Sequence, residues 1–274
     1  MAPQGQSPRA LEPEEIYERT RREGERRLSR PAIELAATAL IGGFDVAFGV
    51  AALGLASAAI ASHFGTGPGH LAGALAFGIG FVFVVVGRSE LFTENFLVPI
   101  TGLRRERSSW LKLAELWAGT FVLNIVGGVV IALVLTSQGV LRGGAQSALV
   151  DVADRLADYG PTTAFLSAIA AGALMTLMTW LVEGAAVDSP GVRLTMAWLI
   201  GALIALGTFN HAIVSTIELV FGMRYGADID VGQLLANLGL STGGNVLGGL
   251  LLVTFARSAQ AFGATRSTGR EGRS

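Results

Sequence analysis

The sequence predicts an all-α polytopic membrane protein: six transmembrane helices in two inverted three-helix repeats, with one broken helix in each repeat. Three observations carry this. The first is composition. Of 274 residues, 51% are hydrophobic, only 15% are charged and 37 are glycine, the profile of a helical bundle in lipid. The second is a pair of interrupted apolar runs. Residues 71–86 and 96–100 are separated by Gly87-Arg88-Ser89-Glu90-Leu91-Phe92-Thr93-Glu94-Asn95, and residues 194–206 and 213–221 flank Gly207-Thr208-Phe209-Asn210-His211. No half of either run reaches the about 20 residues a helix needs to cross a bilayer core. Polar backbone at that depth is tolerated only where protein or a wet cavity surrounds it. The third is internal repetition. Asn124-Ile125-Val126-Gly127-Gly128 in the third span matches Asn245-Val246-Leu247-Gly248-Gly249 in the sixth. Broken spans in corresponding halves point to a binding or permeation site near the midplane.

Residues 1–30 read as a cytoplasmic tail with a short amphipathic helix from Pro13: proline in the first turn, acids early and arginines late, in keeping with the helix dipole. With Ile16, Tyr17 and Leu28 as its large apolar residues, it is expected to lie solvated near the headgroups. The channel domain, 31–257, holds spans at 31–61, 71–102 (broken), 110–135, 162–187, 194–222 (broken) and 231–256. His63, the run Gly65-Thr66-Gly67-Pro68-Gly69 and His70 read as a solvated outer connection. Asp151, Asp154 and Asp158 recur at helical spacing, the mark of an amphipathic surface helix. Residues 258–274 are expected to be a disordered cytoplasmic tail. Each half closes on its Asn-x-x-Gly-Gly, and three spans per half invert the second copy. The glycines permit close helix approach, and an Asn in lipid needs a partner. The favoured partner for Asn124 and for Asn245 is the freed backbone of the neighbouring broken helix.

Charge sets the orientation. Sixteen Lys and Arg fall on the side holding both termini; Arg142, Arg155 and Arg224 fall on the other. This predicts both termini in the cytoplasm of a bacterial-type inner membrane. The absence of cysteine excludes disulfides and thiolate chemistry. There is no apolar signal segment, and no His-Glu-x-x-His, Gly-x-Ser-x-Gly or phosphate-loop motif, so neither an enzyme nor a metal or other cofactor is expected. The bilayer is the expected partner, and nucleic acid is not.

Ser89-Glu90-Leu91-Phe92-Thr93 after an apolar half-helix, Phe209-Asn210-His211-Ala212-Ile213 in the fifth span and Gly244-Asn245-Val246-Leu247-Gly248-Gly249 in the sixth resemble the formate/nitrite transporter family over about residues 35–257. The resemblance implies an aquaporin-like fold, a homopentamer with one pore per protomer, and passage of small monovalent anions or their conjugate weak acids. It makes His211 the central pore histidine, Thr93 the loop threonine facing it and Leu91 the constriction of that loop. Phe77, Phe81 and Ile204 fall where the second and fifth spans narrow the pore. Histidine suits such a place because its charge can change near neutral pH, and a proton lent to an anion lowers the cost of an apolar ring.

The chain also departs from the family pattern. Thr176 stands where an Asn usually lies beside the histidine, Asn210 replaces an acidic residue, and the vestibule lysine has no counterpart unless Arg155 serves. Arg88 stands where a small residue is usual. A guanidinium at that depth must be paired or hydrated, and an Arg88–Asp45 pair that stabilises the loop is expected, with Glu90, Glu94 and Glu183 as other candidate partners. Two other classes compete with the anion pore. An aquaporin-like pore for neutral solutes would carry Asn-Pro-Ala at both half-helix starts, which this chain lacks. A non-conducting membrane scaffold of the same fold is the third.

Overall fold

The computed structural model describes residues 11–141, 143–185 and 189–271, and among them every regular element is helical. In order these are α1 (Pro13–Leu28), α2 (Ala32–Phe64), α3 (Thr66–Gly87), a 3₁₀ segment (Phe92–Phe96), α4 (Val98–Thr101), α5 (Arg107–Leu135), α6 (Ala145–Ala157), α7 (Pro161–Gly184), α8 (Pro190–Leu206), α9 (Ala212–Arg224), α10 (Val231–Leu247), a π-helical stretch (Gly248–Phe255) and α11 (Ala256–Glu271). Among the described residues, five helices are long and apolar enough to cross a membrane: α2, α3, α5, α7 and the continuous Val231–Gly263. The protein is a multi-pass membrane protein. Its lipid-compatible surface shows as stripes, such as Leu71, Leu75, Ile79 and Phe83 along the outside of α3, one face at i, i+4 spacing.

Both chain breaks are present, but the first half-helix is longer than expected. α3 starts at Thr66 and has 22 residues, enough to span by itself. The Gly-Pro-Gly run is therefore its first turn rather than a loop. Proline is accommodated there because the first turn's N–H groups have no helical partner to lose. α8 has 17 residues and α9 has 13, so that broken pair needs both parts. α3 and α8 both run into residues in the left-handed region that are not glycine, Arg88 at φ 55° and Thr208 at φ 47°. A left-handed residue past the last turn ends a helix.

Small residues bring the helices together. A Cβ on Gly43 would meet the backbone of Asn124 and Gly128 in α5, and one on Gly172 would meet the backbone of Asn245 in α10. Both asparagines are thereby brought within reach of a neighbouring backbone. In the π-helical stretch, Gly249 packs on Phe96 and the Thr254 hydroxyl donates to Phe96 O at 2.7 Å, which ties the last span to the first break.

Two terminal elements differ from expectation. α1 does not simply lie among headgroups: Thr20 and Gly24 are buried, and Gly24 sits against the backbone of Val98 and Gly102. Gly24 and the arginines add to the contacts of the sparse apolar residues, of which Ile16 lies against Gly184. Beyond the last span, α11 continues as helix to Glu271, and the Tyr17 and Phe262 rings meet edge-on at 5.1 Å. A tail without regular structure was the expectation for 258–274; residues 272–274 lie outside the described residues.

Candidate functional site

The two breaks meet at His211, which is fully buried. It is the residue that caps α9: its Nδ1 accepts the Val214 N–H at 3.1 Å, and its own N–H donates to Ser215 Oγ at 3.0 Å. Its Nε2 lies 2.8 Å from Thr93 Oγ1, across 118 residues of chain. Because Nδ1 accepts, the neutral ring carries its proton on Nε2 and donates it to the Thr93 hydroxyl. That leaves the hydroxyl hydrogen of Thr93 to donate onward. The Phe81 ring is 6.3 Å from the imidazole and 5.4 Å from Phe77. Leu91 and Ile204 are buried like both phenylalanines, and Gly201 admits α8 close to the Phe81 ring. The buried polar pair thus has the Phe81 ring beside it, backed by Phe77.

Two asparagines hold the broken backbone in matching ways. Asn124 Nδ2 donates to Ala39 O (2.6 Å) and Glu90 O (2.9 Å), and its Oδ1 accepts Phe92 N–H (2.8 Å). Asn245 Nδ2 donates to Ala168 O (2.8 Å) and Asn210 O (3.0 Å), and its Oδ1 accepts Ala212 N–H (2.9 Å). Backbone groups freed by a break in lipid must find such partners.

The side chains of Glu90 and Asn210, at corresponding places in this pattern, are anchored differently. Glu90 Oε1 takes Arg27 Nη1 at 3.2 Å and its Oε2 pairs with Arg30, while Arg27 also reaches Asn95 Oδ1 at 3.1 Å. Asn210 exchanges amide hydrogen bonds with Asn237 at 2.8 and 3.1 Å and takes Ser167 Oγ on its N–H at 3.0 Å. In α1, desolvation works against the Arg27 charge, but Glu90, Glu94 and Glu23 outweigh it and hold the guanidinium above its ordinary pKa. For Glu23 burial opposes ionisation, yet hydrogen bonds and charges from Arg26 and Arg27 prevail and lower its pKa.

Several expected contacts are replaced. Asp45 accepts the Ser89 hydroxyl at 2.6 Å instead of pairing with Arg88, whose backbone is left-handed and whose side chain lines a cavity between α1, α3 and α8. The acids around the loop already have other partners: Glu90 has Arg27 and Arg30, Glu94 accepts Leu91 N–H at 3.2 Å, and Glu183 lies 3.5 Å from Arg19. Thr176 donates to Gly172 O at 2.9 Å in its own helix and stands against Gly249; a short side chain there satisfies itself locally. His70, expected to be solvated, has Nε2 3.0 Å from Leu206 O and Nδ1 3.3 Å from Arg155 Nη1. Sequence reasoning missed Arg27, Arg30, Ser215 and Asn237. Only Ser215 carried a signal, its i+4 spacing from His211.

Comparison with known proteins gives the family and the fold. The family model described as Formate/nitrite transporter matches residues 14–259. The chain is 25% identical over 248 residues to the inner membrane protein YfdC of Escherichia coli (strain K12), covering 89% of this chain and 77% of that one. It is 26% identical over 246 residues to the uncharacterized transporter YrhG of Bacillus subtilis (strain 168), covering 88% and 90%. Among solved structures, a pentameric formate channel with formate bound superposes with a TM-score of 0.69 at 20% identity, over 82% of this chain and 95% of that one. An FNT family ion channel superposes with a TM-score of 0.74 at 18% identity, over 88% and 96%. With the two breaks joined at His211 and Thr93, and a match running through nearly the whole chain, the protein belongs to the formate/nitrite transporter family.

Proposed function

We propose that the chain is a pore for small monovalent anions or their conjugate weak acids, of the formate and nitrite type. It works as a homopentamer with one pore per protomer, in an inner membrane, with both termini in the cytoplasm. Each protomer has six spans in two inverted three-helix repeats. The buried contact between His211 and Thr93, made where two chain breaks meet, is the observation that carries this reading. The matching hydrogen bonds of Asn124 and Asn245, and the left-handed residues Arg88 and Thr208 three positions before Leu91 and His211, support the repeat. The asymmetry of Lys and Arg supports the orientation.

An anion reaching Phe77, Phe81, Leu91 and Ile204 loses hydration at a cost of several kcal/mol. The hydroxyl of Thr93, held by the imidazole, offers it a hydrogen bond there. A proton loan goes further: the doubly protonated ring passes its Nε2 proton to Thr93 Oγ1, which passes its own to the anion, and a neutral acid crosses. A doubly protonated ring has no lone pair for Val214 N–H, so each loan is tied to loss of the cap at Nδ1.

Flux of formate, nitrite and acetate into proteoliposomes, measured for wild type and His211→Ala at two pH values, tests the proposal. Proton-coupled anion entry that collapses in the variant supports it. Water or glycerol flux alone assigns a neutral-solute pore, and no flux at all leaves a scaffold of the same fold.

A further inference from the structure

A cavity of about 440 Å³ opens on the cytoplasmic side beneath the first break, between α1, the end of α3, the end of α7 and the start of α8. Seven arginines line it (19, 22, 26, 27, 30, 88 and 193) against Glu23, Glu94 and Glu183, with Val84, Val85, Met178 and Val182 as an apolar wall. Four of the seven have carboxylate partners: Arg19 has Glu183, Arg26 has Glu23, and Arg27 and Arg30 share Glu90. Arg22, Arg88 and Arg193 have none among the described residues, and the Nε of Arg193 is shut off from solvent with no hydrogen-bond partner. A buried donor left unsatisfied is costly, and native structures seldom keep one without a reason. Three uncompensated guanidinium groups, carried by three different elements, therefore face one space.

We infer that this cavity binds a phosphate group at Arg22, Arg88 and Arg193, and that the bound group ties α1 to the end of α3 and the start of α8. The chemistry selects the ligand class. A monovalent anion with two oxygens satisfies one guanidinium as a bidentate pair. A phosphate carries close to two charges at neutral pH and three or more strong acceptor oxygens, enough for three arginine forks. The volume is that of a small-molecule pocket, which typically falls within about 300–1,000 Å³. The apolar wall accommodates the organic part of a phosphate monoester or the glycerol end of a lipid headgroup. The left-handed backbone of Arg88 serves the same end by turning its side chain toward the cavity instead of toward Asp45.

The test is binding, so it stands apart from flux. Purified, delipidated full-length protein is titrated with inorganic phosphate, and with formate and chloride at matched ionic strength, by calorimetry. In parallel, vesicles of phosphatidylcholine with and without phosphatidic acid are scored for lipid retained on the protein by native mass spectrometry. Phosphate is expected to bind where formate and chloride do not. Its dissociation constant is expected to weaken about tenfold in Arg88→Gln, in Arg193→Gln and in Arg22→Gln, the loss of one charged hydrogen-bonding partner. Arg22 is exposed on α1, so its variant keeps the test valid if Arg193→Gln misfolds. Arg104→Gln, outside the cavity, is expected to bind as wild type does. Retention of phosphatidic acid alone, lost in the same variants, identifies the same site with a lipid as its source. The inference is overturned if neither phosphate nor phosphatidic acid binds, if formate binds equally well, or if Arg104→Gln loses as much as the cavity variants.

Discussion

Replacing Asn124 by leucine removes the clamp on the first break while nearly conserving volume. Three bonds disappear, to Ala39 O, Glu90 O and Phe92 N–H. Ala39 lies inside α2, where its carbonyl retains the helical ladder, so the loss falls on Glu90 O and Phe92 N–H. Both belong to buried residues: Glu90 lies outside any helix, and Phe92 opens the 3₁₀ segment, where an N–H has no helical partner. An orphaned buried group costs about 1–3 kcal/mol, or about 2–6 kcal/mol for the two. Interhelical hydrogen bonds in membrane proteins often measure about 0.6 kcal/mol, because the unfolded chain in lipid finds other partners. A backbone N–H at a fixed break finds them less readily, so the expected loss is about 2 kcal/mol or more. Unfolding in denaturing detergent can be followed by tryptophan fluorescence, since the Trp117 indole donates to Asn95 O at 2.9 Å and meets the Phe92 ring at 6.3 Å. Asn245→Leu, with the corresponding bonds, is expected to match it. Losses under about 0.5 kcal/mol in both variants would refute the reasoning, since the breaks would then not depend on these amides.

Thr93→Val keeps the shape of the side chain and removes the hydroxyl on His211 Nε2; anion flux is expected to fall about tenfold or more while stability moves by about 1 kcal/mol, and unchanged flux would show that the anion does not use this hydroxyl. Gly172→Ala puts a methyl group into the backbone of Asn245 and is expected to cost about 1–3 kcal/mol by overpacking. Gly191→Ala, facing open space, is its thermal-shift control, and equal melting of the two variants would deny the tight contact. Acid is expected to loosen α1. The Glu23 pKa is lowered in the folded protein, so its contribution is complete above the ordinary carboxylate value near 4.5 and is lost as pH falls through the lowered value. Amide protection in residues 13–28, corrected for the pH dependence of intrinsic exchange, should therefore be lower below pH 4.5 than at pH 7, and equal protection at both would contradict it.

Much of the scaffold was legible locally. Polar residues inside apolar runs marked both breaks, and an Asn followed by paired glycines marked the helices packed beside them. His211 and Thr93 were legible only as a family pattern, since nothing in either stretch says that residues 118 positions apart share a hydrogen bond. The Arg88–Asp45 pairing failed because the presence of acids in neighbouring spans and in the same loop says nothing about the direction of a side chain. A left-handed φ at one residue re-aimed the guanidinium and left Asp45 to Ser89. α1 was misjudged because its pattern was weighed by apolar residues, whereas it also docks through Gly24, Arg27 and Arg30.

Hydropathy, helix-breaking polar stretches and repeated small-residue motifs act over one or two turns, so the chain by itself determined that it forms helices in lipid and where two of them break, though not that α3 begins at Thr66 or that helix runs on to Glu271. Which polar groups answer one another was decided only when the helices packed. A buried donor or carboxylate is satisfied by whatever the fold brings within about 3 Å, and for Glu90, Asn210 and His211 that partner came from far along the chain.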